Sequence, residues 1–140
     1  MSEVAARKLI ETRLATYSGA YEIYWPNTIE EADITASAGY IAASYRSADA
    51  FMAETNGSGG TFRHPGLLIA SVLSPRGTGE GAGLTVADTI AALFRGKQDT
   101  SGTTKVVYRS PRIRDVGASG DWYQWDVEVP FERDTAFTTS

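Results

Sequence analysis

A chain of 140 residues, 42% hydrophobic and 21% charged, with a net charge of -4 and no cysteine, is sized for one domain around one core. Such a composition excludes disulfides, thiolate catalysis and cysteine-ligated zinc or iron-sulfur centres, and no apolar run approaches the roughly 18 residues of a membrane span. The opening MSEVAARKLIETRL breaks its apolar positions with Arg7, Lys8, Glu11 and Arg13, unlike a signal peptide, so a soluble, unanchored protein is expected.

Ser2 is placed to cap a helix over about residues 2–17, with Ala6, Leu9, Ile10, Leu14 and Tyr17 on one face and Ser18-Gly19 as its stop. Glu22 to Trp25 reads as a short strand ending at Pro26, and Asn27 to Ser37 as a polar loop. Gly39 to Arg46 alternates Ile41, Ala43 and Tyr45 as a second strand. Residues 47–60, which run into Asn56-Gly57-Ser58-Gly59-Gly60, read as a flexible loop in which Ala50 to Glu54 suits a strand or a helical turn. Thr61 to Leu73 is apolar enough at Leu67–Leu73 for a central strand covered on both faces. After the loop at Pro75–Gly83, a second helix is expected over about residues 84–95. Thr85 and Asp88 have the spacing of a capping box, Val86, Ile90, Leu93 and Phe94 point inward, and Gly96 is the stop.

Lys105 to Arg109 and Arg112 to Val116 read as short strands around Ser110-Pro111. Gly120 to Arg133 is the clearest strand: Tyr123, Trp125, Val127, Val129 and Phe131 alternate with Gln124, Asp126, Glu128 and Pro130. Pro130 donates no ladder hydrogen bond, so its nitrogen should face outward or lie at a bulge. Residues 134–140 are expected to be a short flexible tail. The order predicts a single α+β domain over 1–140, a mainly antiparallel or mixed β-sheet packed against the two helices.

Charge is distributed in blocks. Residues 21–60 hold six acids and one base, Arg63 to Arg114 eight bases and three acids, and residues 115–140 six acids and one base. Such blocks suit head-to-tail contact between copies, or else they intermix once the chain folds. The acidic blocks disfavour binding to nucleic acid.

The chemical inventory selects no reaction. Gly77, Gly79 and Ala82 match G-x-G-x-x-A between a strand and a helix, but a dinucleotide site also needs a parallel βαβ unit and an acid about 20 positions on. No lysine follows the glycines, as a phosphate-binding loop requires. His64 is the only histidine and lacks a nucleophile elbow to serve. Glu30, Glu31 and Asp33 read as a solvated loop rather than metal ligands. Glu11 would meet Asp126 or Glu128 as an acid-base pair only by an accident of folding.

Taken in order, ARKLIETRLA, Trp25, SPRGTGEG, ADTIAALFRG, RSPRIRD and GDWYQWDVEVPFE resemble the tail terminator-like proteins of long-tailed, siphovirus-type bacteriophages over about residues 3–132. The resemblance implies a hexameric ring that sits on the finished end of the tail tube, stops further addition of tube subunits and presents a surface to the head. It implies no catalytic residues, metal or cofactor. The implied partners are further copies of the chain, the major tail tube protein and a head connector or completion protein, with DNA only as cargo and no membrane. The implied location is the head-proximal end of the virion tail, after assembly in the host cytoplasm. Residues 27–60 depart from the family pattern in length and acidity.

The assembly-interface candidates are Asn56, Gly57, Gly59 and Gly60 in the glycine-rich tip, and Arg63, Arg76, Arg112 and Arg114 in the basic block. A tip that orders on docking would keep free subunits soluble. The rival readings are a head-tail connector or head-completion protein, a small-molecule or nucleotide-binding domain using Gly77–Gly83, and a prophage-borne toxin or regulator.

Overall fold

A computed structural model describes residues 2–19, 21–25, 39–47, 51–56, 59–75, 80–101 and 104–138. In chain order the elements are α1 (Ser2–Leu14), β1 (Glu22–Tyr24), β2 (Tyr40–Ser47), β3 (Phe51–Asn56), β4 (Gly59–Pro75), α2 (Glu80–Phe94), β5 (Gln98–Ser101), β6 (Thr104–Tyr108), β7 (Arg112–Ser119) and β8 (Trp122–Thr138). The apolar run at Leu67–Leu73 and the alternating run after Trp122 lie in β4 and β8, which are 17 residues each. They pair antiparallel from Gly59 opposite Thr138 to Pro75 opposite Trp122.

Each long strand is flanked on its outer side by two shorter strands in succession. β2 pairs with Gly66–Leu73 of β4, and β3 with Gly59–Arg63. β7 pairs with Trp122–Glu128 of β8, and β6 with Phe131–Asp134. β1 adds parallel to β2, and β5 antiparallel to β6. The β4/β8 ribbon therefore joins two half-sheets, β1-β2-β4-β8-β7 at one end and β3-β4-β8-β6-β5 at the other. Pro130 falls where β7 gives way to β6. Its carbonyl accepts from Arg109 N–H at 2.7 Å, so its nitrogen, on the same side of the strand, faces the junction and interrupts no ladder.

Strand register stacks the core into rows on one face of the sheet: Ile41, Val72 and Trp125 in one, Ala43, Ala70 and Val127 in the next, then Leu68 opposite Val129. Val106 and Tyr108 of β6 extend the layer. Ala6, Ile10 and Leu14 of α1 and Ala87, Ile90, Ala91 and Phe94 of α2 are buried against it, at the i, i+3, i+4 spacing of a helix face. Phe94 meets Tyr108 edge to face at 5.0 Å between centroids, worth about 0.5–1.5 kcal/mol beyond area burial.

Several expectations are corrected. α1 ends at Leu14, where Thr16 and Tyr17 N–H turn back to the carbonyls of Arg13 and Leu14. α2 starts at Glu80, so Gly81 and Gly83 are helical, and Thr85 is no cap: its hydroxyl donates to Gly81 O at 2.7 Å. The segment expected as a flexible loop supplies β3 and the start of β4, with Asn56 opposite Gly59. The expected C-terminal tail is strand as far as Thr138, held by Gly59–Arg63. β5, polar throughout as QDTS, has no apolar alternation that would announce a strand. The domain is thus a mixed, mostly β structure with two helices.

Candidate assembly interface

From Trp122 to Asp134 the even-numbered residues of β8 face away from the helices and include an acidic file of Asp126, Glu128, Glu132 and Asp134, and the neighbouring strands answer it with arginine. Arg112 and Arg114 of β7 stand directly opposite Glu128 and Asp126 in the ladder. Arg112 Nε donates to Glu128 Oε1 at 3.0 Å, with a second, shorter contact from its Nη2. Arg114 Nη2 reaches Asp126 Oδ2 at 3.2 Å, and Gln124 Nε2 donates to the other oxygen at 2.8 Å. Arg109, just past β6, donates to both oxygens of Glu132. On the other side of β8, Arg63 of β4 binds both oxygens of Asp134 and lies 3.3 Å from Glu132. Cross-strand opposite charges of this kind contribute about 0.2–1 kcal/mol each.

In the two β7 pairs the partners differ in exposure, whereas Arg63 and Asp134 are alike. The Glu128 and Asp126 side chains are 11% and 8% exposed, whereas those of Arg112 and Arg114 are 72% and 57% exposed. A short carboxylate lies down among the strands while the longer guanidinium covers it, so the face shows cations outward over hidden anions. The basic block and the C-terminal acidic block thus intermix within one subunit.

A second polar cluster fastens α1 to the opposite face. Arg13 Nε and Nη2 each donate to Asp99 of β5 at 2.7 Å, Arg13 Nη1 donates to Leu93 O at 3.0 Å, and Tyr108 O–H donates to Asp99 Oδ2 at 2.7 Å. The guanidinium hydrogen bonds hold the Asp99 carboxyl below its usual range and raise Arg13 in return. Burial, then the Asp99 carboxylate, pushes the Tyr108 phenol well up. Tyr45 is raised chiefly by burial; Arg7 lies 4.6 Å over its ring, and its hydroxyl is buried with no partner among the described residues. This cluster borders a cleft of about 180 Å³ lined by Leu9, Thr12, Arg13, Thr16 and Asp99.

Of the residues singled out in the sequence, Arg63, Arg112 and Arg114 come together on the charged face. Asn56, Gly59 and Gly60 are strand residues at the far end of the ribbon, while Gly57 and Arg76 lie outside the described residues, as do Glu30, Glu31 and Asp33. Glu11 sits on α1, across the sheet from Asp126 and Glu128, so no acid-base pair forms from them. His64 is half-buried in β4 opposite Arg133. Among the described residues no group of three His, Asp or Glu is placed to hold a metal ion, and no helix is long and apolar enough to cross a membrane. Arg109, Glu132 and Asp134 went unmarked in the sequence, although strand alternation in PFERD held the signal for the acids.

A family model described as a phage tail terminator protein matches residues 5–131. One solved structure is similar to this chain with a TM-score of 0.64 and 19% sequence identity, covering 95% of this chain and 96% of the other; that likeness shows the fold. No curated protein matches the chain in sequence.

Proposed function

We propose, from the premise that this chain belongs to the phage tail terminator family, that it caps the head-proximal end of the tail tube as a hexameric ring, halts tube polymerisation and offers the surface to which the head joins. Membership makes it a phage tail assembly protein; the ring, the capping and the joining are the proposal. The observation that carries it is the extent of the family match, residues 5–131, which takes in most of α1, all of α2 and β4, and β8 from Trp122 to Phe131. The role is structural and needs no bound cofactor. Its partners are further copies of the chain, the major tail tube protein and a head connector or completion protein, and DNA passes through the ring without being read.

The test is electron microscopy of particles assembled with and without this protein. Its loss should leave tails of uncontrolled length that are not attached to filled heads. Tails of normal length joined to heads in its absence would refute the assignment.

A further inference from the structure

We propose that successive copies of this chain meet edge to edge, with β7 of one lying antiparallel beside β1 of the next, so that the two sheets run on into each other. The proposal rests on the ring reading above and specifies the contact that reading leaves open.

Three features of the sheet lead there. β1 and β7 are the terminal strands of the half-sheet β1-β2-β4-β8-β7, and among the described residues each pairs with a single strand. A terminal strand is a template for another chain unless it is blunted. β7 is blunted only in part: a register shift between Asp115 and Gly117 leaves Arg112–Asp115 regular and turns out Val116, an exposed large hydrophobic residue at 45%. The regular stretch is about as long as β1.

The second feature is direction. β1 runs parallel to β2, and each following step, β2 to β4, β4 to β8 and β8 to β7, is antiparallel. β7 therefore runs opposite to β1, and a copy carried round an axis along the strands brings its β1 antiparallel to the preceding β7 with the helices on the same side. Because β1 and β7 are different surfaces, the contact is heterologous and is fully used only when the copies close into a ring.

The third is side-chain chemistry. Glu22 and Tyr24 of β1 share the face of Tyr40 and Ala42, away from the helices, and Arg112 and Arg114 of β7 point to that same face. Ile23 and Ile113 both point to the helix side and are only partly buried within one subunit. With Ile113 set opposite Ile23, Arg114 stands opposite the exposed Glu22 and Arg112 opposite the ring of Tyr24. An ion pair, an apolar pair and a cation-ring pair then follow one another along three positions. The outward guanidinia of the ladder thereby gain a second partner while keeping Asp126 and Glu128.

The chain has no cysteine, which permits a direct test on the full-length protein assembled on purified tail tubes. Glu22→Cys combined with Arg114→Cys sets two thiols at directly opposite positions, with Cβ atoms about 4.5–5.5 Å apart; a short bis-maleimide should join them into covalent multimers up to the whole ring, and neither single variant should give any. Val116→Cys, which disturbs no ion pair, should react with maleimide in the free subunit and lose that reactivity on tubes. If the double variant fails to fold, loss of Val116→Cys labelling on tubes supports the contact and unchanged labelling overturns it. Rings seen on tube ends without cross-linking or protection would overturn the edge contact and leave the ring reading intact. Wild-type protein forming no ring on tube ends would overturn both.

Discussion

Replacing Gly83 by alanine separates two meanings of the glycine-rich run before and within α2. Gly83 is the fourth residue of α2 and is buried. Helix propensity alone favours alanine there by about 0.5–1 kcal/mol. Packing says otherwise. A Cβ at this position would lie 2.6 Å from Ser74 Oγ and 3.0 and 3.1 Å from Cδ1 and Nε1 of Trp125. Ser74 is 2% exposed, and its hydroxyl is hydrogen-bonded to that of Tyr21 at 2.7 Å. Trp125, 8% exposed, is wedged against Tyr123. Neither neighbour moves freely, and overpacking of this kind costs about 1–3 kcal/mol, so after the propensity gain the net loss should be centred on about 1 kcal/mol and reach up to about 2.5 kcal/mol.

Gly81, two residues earlier and exposed, has nothing within 4 Å of its added Cβ, so Gly81→Ala should gain up to about 0.5–1 kcal/mol. Urea unfolding should move the two midpoints in opposite directions at an unchanged slope. Adding Ser74→Ala to Gly83→Ala should couple favourably, since it removes the atom that clashes. If Gly83→Ala stabilised the protein as Gly81→Ala does, the close approach of α2 to β4 and β8 would be wrong. The glycine would then need another reason, and an anion-binding turn would be the first to test, by thermal shift with nucleotides.

Two further perturbations test the α1 attachments. Asp99 has a depressed pKa in the folded state, so its stabilising contribution is present above the unfolded carboxylate value of about 3.9 and fades as pH falls through the folded value. Asp99→Asn should therefore lower stability by about 1 kcal/mol at neutral pH, with the gap to wild type closing in acid unfolding series below about pH 4; a gap constant with pH would mean that Arg13 does not act through the carboxylate charge. Tyr45→Phe removes a buried hydroxyl that has no partner among the described residues, so thermal denaturation should show it neutral or stabilised by up to about 1 kcal/mol, and a marked loss would reveal a hidden partner.

What the sequence disclosed follows from how local each signal is. The faces of α1 and β8 were legible because amphipathic periodicity is written in neighbouring residues: Ala6, Ile10 and Leu14 in one case, Trp125, Val127 and Val129 in the other. β5 was not legible, because QDTS has no apolar alternation and is held through Asp99 by Arg13, 86 positions away in the chain. The start of α2 is hidden by Gly81 and Gly83, which disfavour a helix locally, although Gly83 lets it press against Ser74 and Trp125. Gly66 in β4 follows the same logic: the ring of its cross-strand neighbour Phe131 occupies the space a side chain would fill, with Cζ 2.6 Å from an ideal Cβ. Asn56–Gly60 read as a loop because its glycines suit a turn, yet pairing with β4 and β8 makes strand of Asn56, Gly59 and Gly60.

The charged face shows why blocks of sign along a chain do not translate directly into attraction between copies. Strand pairing sets the acids of β8 beside arginines from β4, β7 and the end of β6, so the blocks cancel inside the subunit. What survives at the surface depends on side-chain length: carboxylates stay low between strands and guanidinia reach over them. A neutral ladder has little field beyond a Debye length of about 8 Å at physiological salt, so it steers encounters weakly. It still presents ordered donors in fixed rows, and a partner must bring acceptors or a ring face at strand spacing to use them. Selectivity of that kind resides in register rather than in net charge, which is what the edge-to-edge contact proposed above would require.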